Sequence, residues 1–151
     1  MFPLLTVREH VIYFLKAYDK PVNDEMIDKL FDRFDLLDKQ DKMGNELSKG
    51  MMQKVSICCA LAVDPKVLIF DEPMVGLDPK AIKELKSIIL ELKEAGKIVL
   101  ISTHMLEMVE SLWDQVILMD KGKMIGSYDK ESMGAMDLEE LFFKKTGDDH
   151  E

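Results

Sequence analysis

Val67-Leu68-Ile69-Phe70-Asp71-Glu72-Pro73 is a run of apolar residues ending in two carboxylates and a proline. A short apolar run without alternation predicts a strand buried on both faces, as in parallel sheets covered by helices on each side. In open sheets of that kind, ligands sit beyond the carboxyl ends of the strands. Asp71 and Glu72 stand at that end. Asp71 is suited to anchor Mg²⁺ through water, and Glu72 to polarise an attacking water. Taken alone, a strand that simply ends in solvated acids explains the same residues.

Downstream the strand–helix alternation continues. Gly76-Leu77-Asp78-Pro79 reads as a turn into a helix, with Asp78 as N-cap and Pro79 in the first turn. That helix covers residues 79–95 and stops at Gly96. Residues 98–101 predict a second buried strand, after which His104 is placed to bond a phosphate or a water. A capping role accounts for a lone histidine there equally well. Residues 105–113 predict a short helix, and residues 116–119 and 124–127 flank the hairpin turn Asp120-Lys121-Gly122-Lys123. Residues 137–145 read as helical and residues 147–151 as a fraying tail.

Upstream the pattern is purely helical. Thr6-Val7-Arg8-Glu9 has the form of a capping box opening a helix to Ala17, with Val7, Val11, Phe14 and Leu15 at helical spacing. A second helix starts near Asn23 or Asp24 and carries Met26, Ile27, Leu30, Phe31, Phe34 and Leu37 on one broad face. After a polar connection, Leu47-Ser48-Lys49-Gly50-Met51 leads into a third helix over residues 49–63, closed by Asp64-Pro65. Ser48 is a natural cap for it, and Gly50 lets an anion approach a helix end whose free N–H groups and dipole favour negative charge. A plain cap would look the same. The whole reads as α/β: a helical first third, then strands and helices in alternation.

The chain has 151 residues, 47% of them hydrophobic, enough for a sizeable core. Twenty basic residues against 29 acidic give a net charge of −9, which argues against nucleic acid as a partner. No apolar stretch approaches the ~18–20 residues that span a bilayer, and no secretory signal opens the sequence, so a cytosolic protein is expected. Cys58 and Cys59 are adjacent and read as small buried residues, because helical neighbours point in different directions.

Taken together, the series Leu-Ser-Lys-Gly-Met, an apolar run with Asp-Glu-Pro, Gly-Leu-Asp and Ser-Thr-His resembles the ABC ATPase family in order and spacing, from about Phe2 to Gly147. Leu47, Ser48, Lys49, Gly50 and Met51 resemble the signature sequence, departing from the commoner Leu-Ser-Gly-Gly-Gln at Lys49 and Met51. Phe70-Asp71-Glu72 resembles the Walker B end, Gly76-Leu77-Asp78 the D-loop, and His104 the switch histidine. The resemblance implies a P-loop NTPase fold, here the helical subdomain (residues 1–66) followed by the later half of the catalytic core (residues 67–151). It implies an ATP-hydrolysing subunit of a transporter, of the bacterial export type. Asp71 would order Mg²⁺, Glu72 would act on the water, and His104 would contact the γ-phosphate of ATP. The implied partners are a second ATP-binding subunit, arranged head to tail, and a membrane-spanning permease. The implied location is the cytoplasmic face of the membrane.

The Gly-rich loop ending in Gly-Lys-Ser/Thr that cradles phosphates in such enzymes does not occur in the sequence. Gly96-Lys97-Ile98 and Gly122-Lys123-Met124 come nearest, and both read as turns. The expectation is therefore a truncated product, an excised portion or half of a split protein, inactive alone, with unpaired strand edges and exposed apolar surface, and marginal or aggregation-prone by itself. Chromosome-maintenance relatives place the same motifs after a long coiled coil, but the helices before Ser48 are short and lack sustained heptads. A non-catalytic interaction module would have no need of both Glu72 and His104.

Overall fold

Each of the three helices at the start of the chain is opened by a side-chain cap and closed by a left-handed aspartate. These features belong to a computed structural model, which describes residues 1–133 and 138–146. Thr6 opens α1 (Val7–Ala17): its hydroxyl accepts from the Glu9 N–H at 3.2 Å while its own N–H donates to the Glu9 carboxylate at 2.8 Å. Asn23 caps α2 (Asp24–Arg33) and Ser48 caps α3 (Lys49–Ala62). Asp19, Asp35 and Asp64 then take positive φ just beyond each helix, a conformation in which aspartate is tolerated better than most residues. Both α1 and α2 pack on α3, burying Val7, Val11, Leu15, Ile27, Phe31, Val55, Ile57 and Cys58.

The left-handed turn at Asp35 corrects one detail of the sequence reading. Helix α2 stops at Arg33, and the Leu36 N–H returns to the Phe31 carbonyl at 2.8 Å. Leu36 is thereby turned into the core at 1% exposure while Leu37, expected there, is 40% exposed.

Strand β1 (Val67–Asp71), helix α4 (Pro79–Glu94) and strand β2 (Ile98–Ser102) follow, with the strands parallel and in register from Val67↔Ile98 to Asp71↔Ser102. Asp78 caps α4, Pro79 occupies its first turn, and Gly96 at φ +72 ends it. Helix α4 packs on β2 and buries Ala81, Leu85, Ile88 and Ile89. Its exposed side is tied to α2: both terminal nitrogens of Arg33 bond Glu91, at 2.8 and 2.6 Å, its Nε bonds Glu84, and Lys80 pairs with Asp35 at 2.7 Å.

The expectation that both strands are buried on both faces fails. Leu68 and Phe70 are buried, but Val67 and Ile69 are 50% and 72% exposed, and Ile98 and Leu100 are 64% and 55% exposed. Side chains alternate along a strand, so these four share one face, which is open among the described residues. Composition made the strand; only the packing around it decides whether its second face is covered.

The chain divides into two compact units, Met1–Ser102 and Thr103–Glu151. In the second, β3 (Gln115–Asp120) and β4 (Lys123–Asp129) form an antiparallel hairpin joined by Lys121 and Gly122, both at positive φ. That is the two-residue turn read from the sequence, and its backbone matches the twist of the strands. Helix α5 (Leu106–Val109) is shorter than predicted, a turn α6 (Lys130–Met133) was not predicted, and α7 (Leu138–Thr146) was. Glu110, just after α5, ties them together: its carboxylate accepts from the Leu138 N–H at 3.0 Å and its carbonyl from Lys130 Nζ at 3.2 Å. The tail predicted to fray, residues 147–151, lies outside the described residues.

Candidate functional site

The turn Leu47-Ser48-Lys49-Gly50 is positioned by the two segments that precede it. Residues 2–8 and 40–46 run alongside one another: Val7 N–H bonds Lys42 at 2.9 Å, Gly44 N–H bonds Leu5 at 2.9 Å, and Asn45 N–H bonds Pro3 at 3.2 Å. A side chain at Gly44 would stand 2.3 Å from the Phe2 carbonyl, so glycine is required for this approach. Beneath them His10 is fully buried, its Nε2 accepting from the Phe2 N–H and its Nδ1 bonded to the Thr6 carbonyl at 2.7 Å. Leu47 is buried by this frame, whereas Ser48 and Lys49 face solvent. The Ser48 hydroxyl accepts from the Met51 N–H at 3.2 Å, which leaves its own hydrogen to donate outward.

Strand β1 ends on Asp71, whose carboxylate accepts from the hydroxyl of Ser102, its register partner on β2. Glu72 then turns the chain out of the sheet at φ +46, while its N–H still bonds the Ser102 carbonyl at 2.9 Å. Among the described residues, four other non-glycine residues have positive φ, and they close helices or the hairpin. Glu72 instead leaves a strand end. Such a conformation costs about 1–3 kcal/mol and is retained where surrounding structure enforces it, often at functional sites.

The segment after Glu72 comes back against the start of α3. A Cβ built on Gly50 would lie 2.5 Å from the carbonyl oxygen of Gly76, which is itself at φ +80. The Gln53 amide donates to the Pro73 carbonyl at 3.2 Å, and Lys54 Nζ lies 2.7 Å from Asp78 Oδ2. The other Asp78 oxygen accepts from the Ala81 N–H at 2.9 Å. Lys54 first, and the Ala81 N–H second, hold the Asp78 carboxyl below the usual carboxylate range.

Thus one compact unit gathers Leu47, Ser48, Lys49, Gly50, Met51, Asp71, Glu72 and Asp78. His104 belongs to the second unit. It is exposed and follows Thr103, whose hydroxyl accepts from the Met105 N–H at 3.0 Å, and it lines a ≈ 490 Å³ cleft with Met105, Met108, Met119, Phe142 and Phe143. No three His, Cys, Asp or Glu side chains among the described residues form a metal cage. The exposed carboxylate of Asp71, with the Ser102 hydroxyl beside it, is instead a hard-oxygen pair of the kind that holds Mg²⁺ together with substrate phosphates.

A family model described as ABC transporter matches residues 1–75. The chain is 34% identical over 151 residues to the ABC transporter ATP-binding protein NatA of Bacillus subtilis (strain 168), covering 96% of this chain and 61% of that protein. The chain belongs to the ABC transporter ATP-binding family. Another member, the uncharacterized ABC transporter ATP-binding protein YhaQ of the same organism, is 35% identical over 125 residues, 82% of this chain and 42% of YhaQ. A solved ATP-binding subunit of an ABC transporter superposes with a TM-score of 0.84 at 29% identity, covering 97% of this chain and 64% of that one. The α/β architecture is therefore that of an ABC ATPase domain. This family member spans about half the length of the curated relatives it matches.

In this ABC chain, sequence reasoning passed over Lys54 and Ser102. Lys54 was legible, because Gly50, Gln53 and Lys54 share one helix face at spacings of three and four. Ser102 was not, because its partnership with Asp71 needs the strand register.

Proposed function

We propose that the chain supplies the signature-bearing and later catalytic portion of the ATP-binding subunit of an ABC transporter. The observation that carries this reading is the packing of the Ser48–Gly50 turn directly on the loop after Glu72, where Gly50 meets the Gly76 carbonyl. In that arrangement residues 1–66 act as the helical subdomain and residues 67–151 as the later part of the catalytic core. The reaction is phosphoryl transfer to water, which proteins promote by positioning and electrostatics. Bound Mg-ATP supplies the reacting phosphoryl group and the metal charge that offsets its anionic oxygens.

Asp71, steadied by the Ser102 hydroxyl, would hold the metal. Glu72 orients the attacking water and takes its proton. His104 donates to the γ-phosphate. Ser48 and the Gly50 amide face the nucleotide of a second ATP-binding subunit placed head to tail, and Lys49 adds positive charge beside it. Asp78 shapes the loop between them. Among the described residues no helix is long and apolar enough to cross a membrane, which fits a subunit attached at the cytoplasmic face through a permease. The sequence holds no Gly-Lys-Ser/Thr triplet. In this reading turnover requires that element from outside these residues, and the 151 residues alone should not hydrolyse ATP.

The test is Glu72→Gln in the complete subunit. ATP should still bind while hydrolysis falls by about a thousandfold or more, the scale of losing a positioned general base together with its charge. Hydrolysis retained within tenfold of the unsubstituted protein sinks the assignment.

A further inference from the structure

Three contacts run from the first two turns of α3 to the loop that follows β1, and they differ in kind. Gly50 and Gly76 meet backbone to backbone, without a side chain on either. Gln53 adds one neutral hydrogen bond, to Pro73 at the near end of the loop. Lys54 alone reaches its far end, through an ion pair with Asp78 at 2.7 Å. The Lys54 side chain is only 12% exposed, so its stem is packed and its ammonium is delivered to one place. Asp78 accepts that ammonium on one oxygen while the other caps α4. One carboxylate thereby joins the start of α4 to α3.

We propose that Lys54 is a positioning residue that fixes the Gly76-Leu77-Asp78 turn relative to the Ser48-Lys49-Gly50 turn, so that the two segments move as one body. The inference deepens the proposed function and rests on it for its purpose: a displacement of the signature turn is passed through Lys54 to the loop that begins at Glu72. Neither glycine can carry that linkage. Gly76 at φ +80 and Gly50 oppose compression where they touch, and nothing in that contact resists separation. The charge-assisted bond at Asp78 does resist it.

Amide hydrogen exchange on the nucleotide-free chain tests this. The Val75, Leu77 and Ala81 N–H groups bond within the loop and its cap, to Glu72, Met74 and Asp78. Lys54→Met keeps the packed stem and removes the charge; Asp78→Asn keeps a capping oxygen. Each should speed exchange at those three amides about fivefold, the scale of a half-buried charge-assisted bond. The double variant should add nothing further, Lys54→Arg should restore protection to within about twofold, and α1 should be unchanged. Unaltered exchange in Lys54→Met overturns the proposal. So does acceleration shared equally with α1, or failure of arginine to restore protection. Because no nucleotide is present, a complete subunit unable to hydrolyse ATP would refute the function without touching this result.

Discussion

Replacing Arg33 tests the clamp between α2 and α4. Its guanidinium engages Glu91 through two parallel bonds and Glu84 through Nε, with side chains 31% exposed for Arg33, 29% for Glu84 and 53% for Glu91. Fully exposed pairs contribute about 0.2–1 kcal/mol, and hydrogen bonds to charged groups about 1.5–3 kcal/mol when shielded. Partial exposure places the Arg33–Glu91 coupling between these ranges, near 1 kcal/mol. Arg33→Met also leaves Glu84 and Glu91 without their shared cation, so its total cost should be about 1.5–2 kcal/mol. In urea unfolding followed by far-ultraviolet circular dichroism, that lowers the midpoint by about 0.5–1 M. A double-mutant cycle with Glu91→Gln isolates the coupling, which should shrink by about half in 1 M NaCl, where the Debye length is ~3 Å. The pH dependence has a definite sign. Arg33 first holds the Glu91 carboxyl below its ordinary value, so the contribution is present above the unfolded pKa and is lost as pH falls through the lower folded one. That window lies below about pH 4.3. A coupling indistinguishable from zero at low salt refutes the reasoning.

Two further outcomes follow from burial. Leu85 on α4 is fully buried, so Leu85→Ala should cost about 3 kcal/mol and depress the thermal midpoint by ~10 °C or more. Leu90→Ala, at a position 40% exposed on the same helix, should stay within about 0.5–1 kcal/mol by the same measurement. Burial also pushes the Cys58 thiol well above its ordinary range and the Cys59 thiol up to about 12. At pH 8 iodoacetamide should therefore label neither residue until urea unfolds the chain; rapid labelling of the native protein, read by intact mass, would contradict their burial.

Local chemistry made most of the elements legible. The Thr6–Glu9 box, the Ser48 and Asp78 caps and the Lys121-Gly122 turn are decisions taken within four residues, and each appears where the pattern places it. What escaped the sequence depends on longer range. Whether Leu36 or Leu37 turns inward is set by the left-handed Asp35, a conformation that periodicity does not encode. Exposed apolar surface was expected from the missing phosphate loop, but its place on the face of Val67, Ile69, Ile98 and Leu100 was not, since an apolar strand reads the same covered or bare. The candidate site divides in the same way. Its motifs stood out by composition and order, whereas the tie from Lys54 to Asp78 and the hydroxyl of Ser102 at Asp71 emerged only from distances.

The contact between Gly50 and the Gly76 carbonyl changes how variants at that position must be interpreted. A glycine in a phosphate-facing turn is ordinarily explained by the ligand: a side chain would keep the anion away. Here even a methyl group would stand 2.5 Å from an oxygen of the same chain, before any nucleotide arrives. Under the proposed phosphate-facing role, loss of activity at residue 50 would report internal fit and ligand approach at once, and neither requirement could be relaxed by mutation while the other is kept.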